Sequence, residues 1–183
     1  MKNSTRIRPP KLYNFDLNLI KYSAMKKHLL LLSLLITSAT AWAQTSKFTG
    51  VWSLVSVENT NADNSKTFPY GEGPQGLLVF EQNGDYAVQI LKAIRPKVAS
   101  NNKNTATPEE NAALVQGNNS HFGKFLIDEK NHTITYQVEH AFFPNWEGKE
   151  LKSSYTLTGD VLKIFSTNTT NGGASAVVTW KRK

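Results

Sequence analysis

The stretch HTITYQVEHAFFPNWEGKELKSSYTLT, residues 132–158, decides the fold. Its first half alternates. Ile134, Tyr136, Val138 and His140 fall on one face, and Thr133, Thr135, Gln137 and Glu139 fall on the other. A period of two residues is that of a strand with one packed face and one wet face. The corner Phe142-Phe143-Pro144-Asn145-Trp146-Glu147-Gly148 is too aromatic for an ordinary solvated loop. Pro144 fixes its own φ and donates no N–H, and Gly148 permits a sharp exit. The second strand puts Leu151, Ser153, Tyr155 and Leu157 on one face. Aromatic and hydroxyl side chains sharing a face suit the wall of a cavity. A solid core with a few satisfied hydroxyls would carry the same pattern, and both readings stand at this point.

Strands continue on either side. Toward the C-terminus, Gly159-Asp160 makes a two-residue turn into a strand at 161–166, a polar loop covers 167–173, and a last strand runs over 174–182. Toward the N-terminus, Asp128-Glu129-Lys130-Asn131 turns back into a strand at 120–127. Further upstream, residues 50–57 form a first strand, 59–75 a polar loop with a Phe68-Pro69-Tyr70 island, 76–81 a second strand, and 85–92 a third. Asn83-Gly84 predicts a type I′ hairpin, because both residues tolerate positive φ. Thr107-Pro108-Glu109-Glu110 opens one short helix that Gly117 can end, with Thr107 as cap and Glu110 completing a capping box. This helix is expected to plug or cover one end of the sheet. The whole reads as an all-β, eight-stranded antiparallel up-and-down β-barrel with one short helix between strands three and four. Closure removes exposed edges, and eight strands leave room for one small ligand. A two-sheet sandwich is the alternative, but it would need longer crossovers than most of these connections offer.

The first 43 residues belong elsewhere. Met25-Lys26-Lys27-His28 is a basic start, residues 29–36 are apolar with one serine, and Ala41-Trp42-Ala43 is a small-x-small cleavage pattern. Residues 1–43 therefore read as an N-terminal extension and secretory signal peptide, with Met25 as an alternative start and cleavage before Gln44. The barrel domain is 44–183. The apolar run is too short for a stable membrane span. The chain holds no cysteine, which excludes a lipobox and disulfides alike. The protein is expected to be exported, to the periplasm or the medium.

The formal charge of +7 comes mostly from the leader, which holds seven of the 21 Lys+Arg and one of the 14 Asp+Glu. The remainder carries 14 basic and 13 acidic residues, a net of +1. Together with the lack of a basic stripe interleaved with aromatics, this argues against nucleic acid.

Gly50-Val51-Trp52 resembles the Gly-x-Trp signature of lipocalins. A longer series is more specific: Pro69-Tyr70-Gly71, Gly76-Leu77-Leu78-Val79-Phe80, Asn83-Gly84, Arg95-Pro96, Thr107-Pro108-Glu109-Glu110, Phe122-Gly123, Val138-Glu139 and Phe143-Pro144-Asn145-Trp146-x-Gly148. In this order they resemble the bacterial lipocalin-like domain family, over nearly all of residues 48–182. The resemblance implies a barrel in which Trp52 closes one end under a basic side chain, Lys181 or Arg182. In the family pattern a His often stands where this chain has Tyr136, and an Arg where it has Ser153. This chain carries neither, so no catalytic role passes to those positions by resemblance.

Chemistry-bearing motifs are few. His28, His121, His132 and His140 lack partners at metal-ligand spacing, so no zinc site is expected. No nucleophile elbow, phosphate loop or dinucleotide fingerprint occurs, and no cofactor is expected. Glu139 lies on the face opposite His140 and reads as an outer charge. The candidate ligand contacts are Phe80, Tyr136, Val138, Phe143, Asn145, Trp146, Ser153 and Tyr155, with Arg95 as an anion anchor at the mouth. A small, largely hydrophobic molecule bound inside is the first reading. An isomerase, cyclase or lyase using Tyr136, Tyr155, His121 or His140 is the alternative, and an interaction protein with a filled barrel is a third.

Overall fold

The computed structural model describes residues 47–167, 169, 170 and 172–183. The expectations placed on residues 1–46, the leader and its cleavage before Gln44, lie outside the described residues.

The element order is β1 (Gly50–Thr60), β2 (Lys66–Thr67), β3 (Gln75–Phe80), β4 (Asp85–Leu91), α1 (Pro108–Gln116), β5 (Asn118–Asp128), β6 (Thr133–Ala141), β7 (Glu150–Thr158), β8 (Val161–Ser166) and β9 (Ser175–Arg182). Short 3-10 turns occupy Lys103–Thr105 and Pro144–Trp146. Strands β3 to β9 follow one another as antiparallel neighbours, and β9 pairs back onto β1, from Trp52↔Arg182 to Thr60↔Ser175. Eight strands therefore close an up-and-down barrel, and β2 is a two-residue ribbon pinned to the end of β1. Because residues 66–67 form a strand inside what reads as a loop, the helix falls between β4 and β5.

The inward faces follow the sequence pattern. Ile134, Tyr136 and Val138 of β6 are buried, as are Ser153 and Tyr155 of β7. The pattern breaks at Glu139. A bulge shifts the β5–β6 register between Phe122 and Gly123, so Gly123 pairs with Val138 and Phe122 with His140. Gly123 sits at φ 155°, and a Cβ there would run into the Gln137 carbonyl. Beyond the bulge His140 leaves the inner face and packs its ring against exposed Phe122, 5.4 Å away. The expected inward face of β6 thus ends at Val138.

Three other local expectations change. Only Gly84 takes a positive φ in the β3–β4 hairpin, and Asn83 does not. The turn closes by Gly84 N–H donating to the Glu81 carbonyl, with the Asn83 side chain accepting from the Asp85 N–H. That is a wider turn with one left-handed glycine, not type I′. The helix has the expected capping box on Thr107 and Glu110, but none of its residues is buried, so it does not plug the barrel. Strand β1 runs on to Thr60, which carries Asn59 into the barrel wall.

Candidate functional site

The two ends of the barrel differ. At one end Trp52 is wholly buried and its indole N–H donates to the Phe48 carbonyl at 2.9 Å. The Arg182 guanidinium lies 4.1 Å over the Trp52 ring and donates to the carbonyls of Thr49 and Lys47. Of the two basic candidates, Arg182 is the one that covers Trp52. Phe48 adds edge contacts to Tyr155 and Phe80, at 5.0 and 6.3 Å between ring centres. The barrel interior at this end is filled, and outside it lies an open recess lined by Phe48, Glu129, His132 and Tyr155.

Above it lies a cavity of ≈ 130 Å³. Its waist is apolar, with Val57, Val88, Ile90, Leu151, Ile164 and Val178, and Trp180 also lines it. Set into this wall are His121 from β5, Tyr136 from β6 and Ser153 from β7. Asn59, Asn119 and Ser166 come from the far ends of their strands, and Tyr70, Trp146, Thr169 and Thr170 from the adjoining loops and turn. Among the described residues no Asp, Glu, Lys or Arg lines the cavity.

His121 organises the polar side. Its Nδ1 lies 2.8 Å from the Tyr86 hydroxyl. Its ring stands edge-on to Tyr136 and Trp146, at 5.6 and 5.4 Å between ring centres. Tyr86 and Tyr136 themselves lie 4.6 Å apart, packed beside the side-chain-free Gly123 that pairs with Tyr86. Burial pulls the His121 imidazole down to about 4, so the ring is neutral at neutral pH. Burial also raises the Tyr86 phenol, with a smaller contribution from Glu139, and raises the Tyr136 phenol, with a smaller one from Tyr86. The tautomer follows from the surroundings. Tyr86 is buried and does not line the cavity; its hydroxyl proton is used only if it donates to Nδ1. That leaves the ring N–H on Nε2 of a side chain that does line the cavity. The Asn59 amide nitrogen is buried with no hydrogen-bond partner, and no hydrogen bond joins the Tyr136 or Ser153 hydroxyl to another described residue.

The residues expected at the site divide into five groups. Tyr136, Ser153 and Trp146 line the cavity. Phe143 and Asn145 stand outside it, on an open recess shared with Trp146, Leu151, Thr169 and Thr170; Phe143 packs edge-on to Trp146 at 5.8 Å. Trp146 therefore partitions cavity from recess. Phe80 and Val138 are buried in the packed core and do not reach the cavity. Phe80 lies beneath it, stacked 6.3 Å from Tyr136 and tilted against Phe125 at 4.4 Å between ring centres. Tyr155 is two positions further along β7 than Ser153, at the level of His132, and belongs to the filled end. Tyr136 and Tyr155 therefore do not face one space. Arg95 is exposed, its stem against Gly117 at the end of α1, and it does not line the cavity. Of the four acid–base candidates only Tyr136 and His121 come together. His140 is exposed and pairs with Glu147 at 3.5 Å, and Glu139 is exposed as expected.

Sequence reasoning missed Asn59, Tyr86, Asn119 and Trp180. The loop-like composition of 59–65 hid Asn59. Tyr86 and Trp180 carried a signal, since each sits on the inward phase of its strand.

Residues 49–183 match a family model described as a lipocalin-like domain. The chain belongs to that family. No curated protein matches it. Within this lipocalin-like barrel, no group of three or more His, Cys, Asp or Glu among the described residues could hold a metal. No helix among them is long and apolar enough to cross a membrane.

Proposed function

We propose that the protein is an exported carrier or receptor that holds one small, largely hydrophobic molecule inside its barrel. The observation that carries this reading is the cavity between Trp146 and the filled end: apolar at its waist, with a few polar groups set into the wall, as small-molecule sites are built. Family membership supports a binding role. The protonation states support binding over acid–base catalysis. A neutral imidazole held near 4 is a weak base at pH 7, and phenols raised by burial stay protonated. These groups donate hydrogen bonds and do not take protons.

Mass spectrometry of protein purified from its own host tests both halves. The denatured mass should be that of a chain beginning at Gln44. The native mass should exceed it by one small molecule. A retained leader would sink the export proposal, and a native mass equal to the denatured mass across preparations would sink the carrier reading.

A further inference from the structure

The chemistry of the cavity wall narrows the occupant, on the reading that the cavity binds a small molecule. Three features converge. Among the described residues no charged side chain lines the cavity, so an ionised ligand would lose its hydration with nothing to replace it. Several polar groups of the wall can donate to a ligand: the Asn59 amide N–H, which is buried without a partner, the His121 Nε2–H, and the hydroxyls of Tyr136 and Ser153, which can also accept. The space is small. An apolar cavity of about 150 Å³ takes a benzene, and this one measures ≈ 130 Å³.

We infer that the cavity selects a compact, uncharged ring or branched hydrocarbon bearing a hydrogen-bond acceptor, a ketone or ether oxygen, which His121, Tyr136 and Ser153 receive. Carboxylates such as fatty acids are rejected. A donor left unpaired in an apolar wall costs free energy, and an acceptor on the ligand removes that cost where a hydrocarbon of the same shape cannot. The Trp146 edge and the apolar waist hold the ring. Asn59, at the far end of β1, offers a second donor to a ligand with a second acceptor.

Three probes of nearly equal size separate the possibilities: cyclohexanone, methylenecyclohexane and cyclobutanecarboxylate. Binding is read by saturation-transfer NMR and by the shift in melting temperature of the wild-type protein. Cyclohexanone should bind about tenfold more tightly than methylenecyclohexane, the ratio expected for about 1.4 kcal/mol of hydrogen bonding. The carboxylate should not bind at pH 7. In Tyr136→Phe, and separately in Ser153→Ala, the preference for the ketone over the alkene should fall several-fold; circular dichroism checks that each variant is folded. Equal binding of ketone and alkene, or a preference unchanged in both variants, would overturn this inference while leaving a hydrophobic-ligand carrier standing. Carboxylate binding as tight as ketone binding would overturn the selection for neutral ligands. If none of the three binds, this inference falls, and the native mass of the purified protein decides whether the carrier reading falls with it.

Discussion

The two ends of this barrel are made of similar side chains put to opposite uses. At the filled end, Trp52, Phe48, Phe80 and Tyr155 interlock, and the Trp52 indole and the Arg182 guanidinium reach backbone carbonyls. At the cavity end, Trp146, Tyr136 and Tyr86 each meet the His121 ring edge to face, but polar groups of the wall are left beside a space. The first end is what closing a cysteine-free barrel requires. The second gives up part of its own polar satisfaction. Aromatic content alone therefore does not tell structure from site; what separates them is whether the space between the rings is filled.

The sharpest way to break the comparison is at the filled end. Trp52→Ala removes a wholly buried indole, its hydrogen bond to Phe48 and the ring under Arg182. The expected loss is about 3–5 kcal/mol, out of the about 5–15 kcal/mol available to a domain of this kind. Chemical denaturation measures it. A loss below about 1 kcal/mol would mean that this end does not hold the barrel closed.

The next effect belongs to the cavity end and depends on pH. His121 titrates near 6.5 when unfolded and is held down to about 4 by burial in the fold. Above about pH 6.5 both states are neutral and the contribution to stability is complete. As pH falls, the unfolded chain takes the proton first, so stability is lost progressively down to about 4. The loss approaches about 3 kcal/mol as an upper figure, because His121 is only partly buried. The groups packed on the ring are Tyr86, Tyr136 and Trp146, and none carries a charge in this range. The test compares the stability difference between pH 7 and pH 4.5 in the parent and in His121→Gln. The variant should lose clearly less, since the exposed carboxylates contribute equally to both. Equal losses would show that His121 does not sense burial.

Fold and site were legible to different degrees, for physical reasons. The barrel was readable because a strand's inward face repeats every second residue, and Ile134, Tyr136, Val138, Ser153 and Tyr155 obey that rule. Where a residue stands along the barrel axis was not readable, because periodicity gives the face and not the height. That is why the alternation groups Tyr155 with Tyr136, although register sets Leu151 opposite Tyr136 and leaves Tyr155 near the turn. His140 failed for a related reason. One extra residue in a bulge flips every later side chain, and Gly123, which permits the bulge, lies on the neighbouring strand. Asn59 was hidden because Asn and Thr favour turns locally, whereas pairing with β2 and β9 holds them extended. Arg95 reads as an anchor from its charge and its place in the loop before the helix, and neither tells where the side chain points; it is exposed.

The smallest expected effect on stability decides whether the cavity end is open or solid. Ser153→Phe places a benzyl-sized side chain on β7, opposite Ile134 and pointing into the cavity. In a solid core that change would overpack and cost about 1–3 kcal/mol. Here the ring has a space of ≈ 130 Å³ to enter, lined by Leu151, Ile164 and Val178, so new apolar contact offsets the distortion. The melting temperature should stay close to that of the parent, a change of less than about 1 kcal/mol, while cyclohexanone no longer raises it. The stability change and the lost ligand response must occur together. Strong destabilisation, in a protein whose parent form shows no ligand response, would mean that both ends of the barrel are filled. The contrast between them would then reduce to a few unpaired hydroxyls.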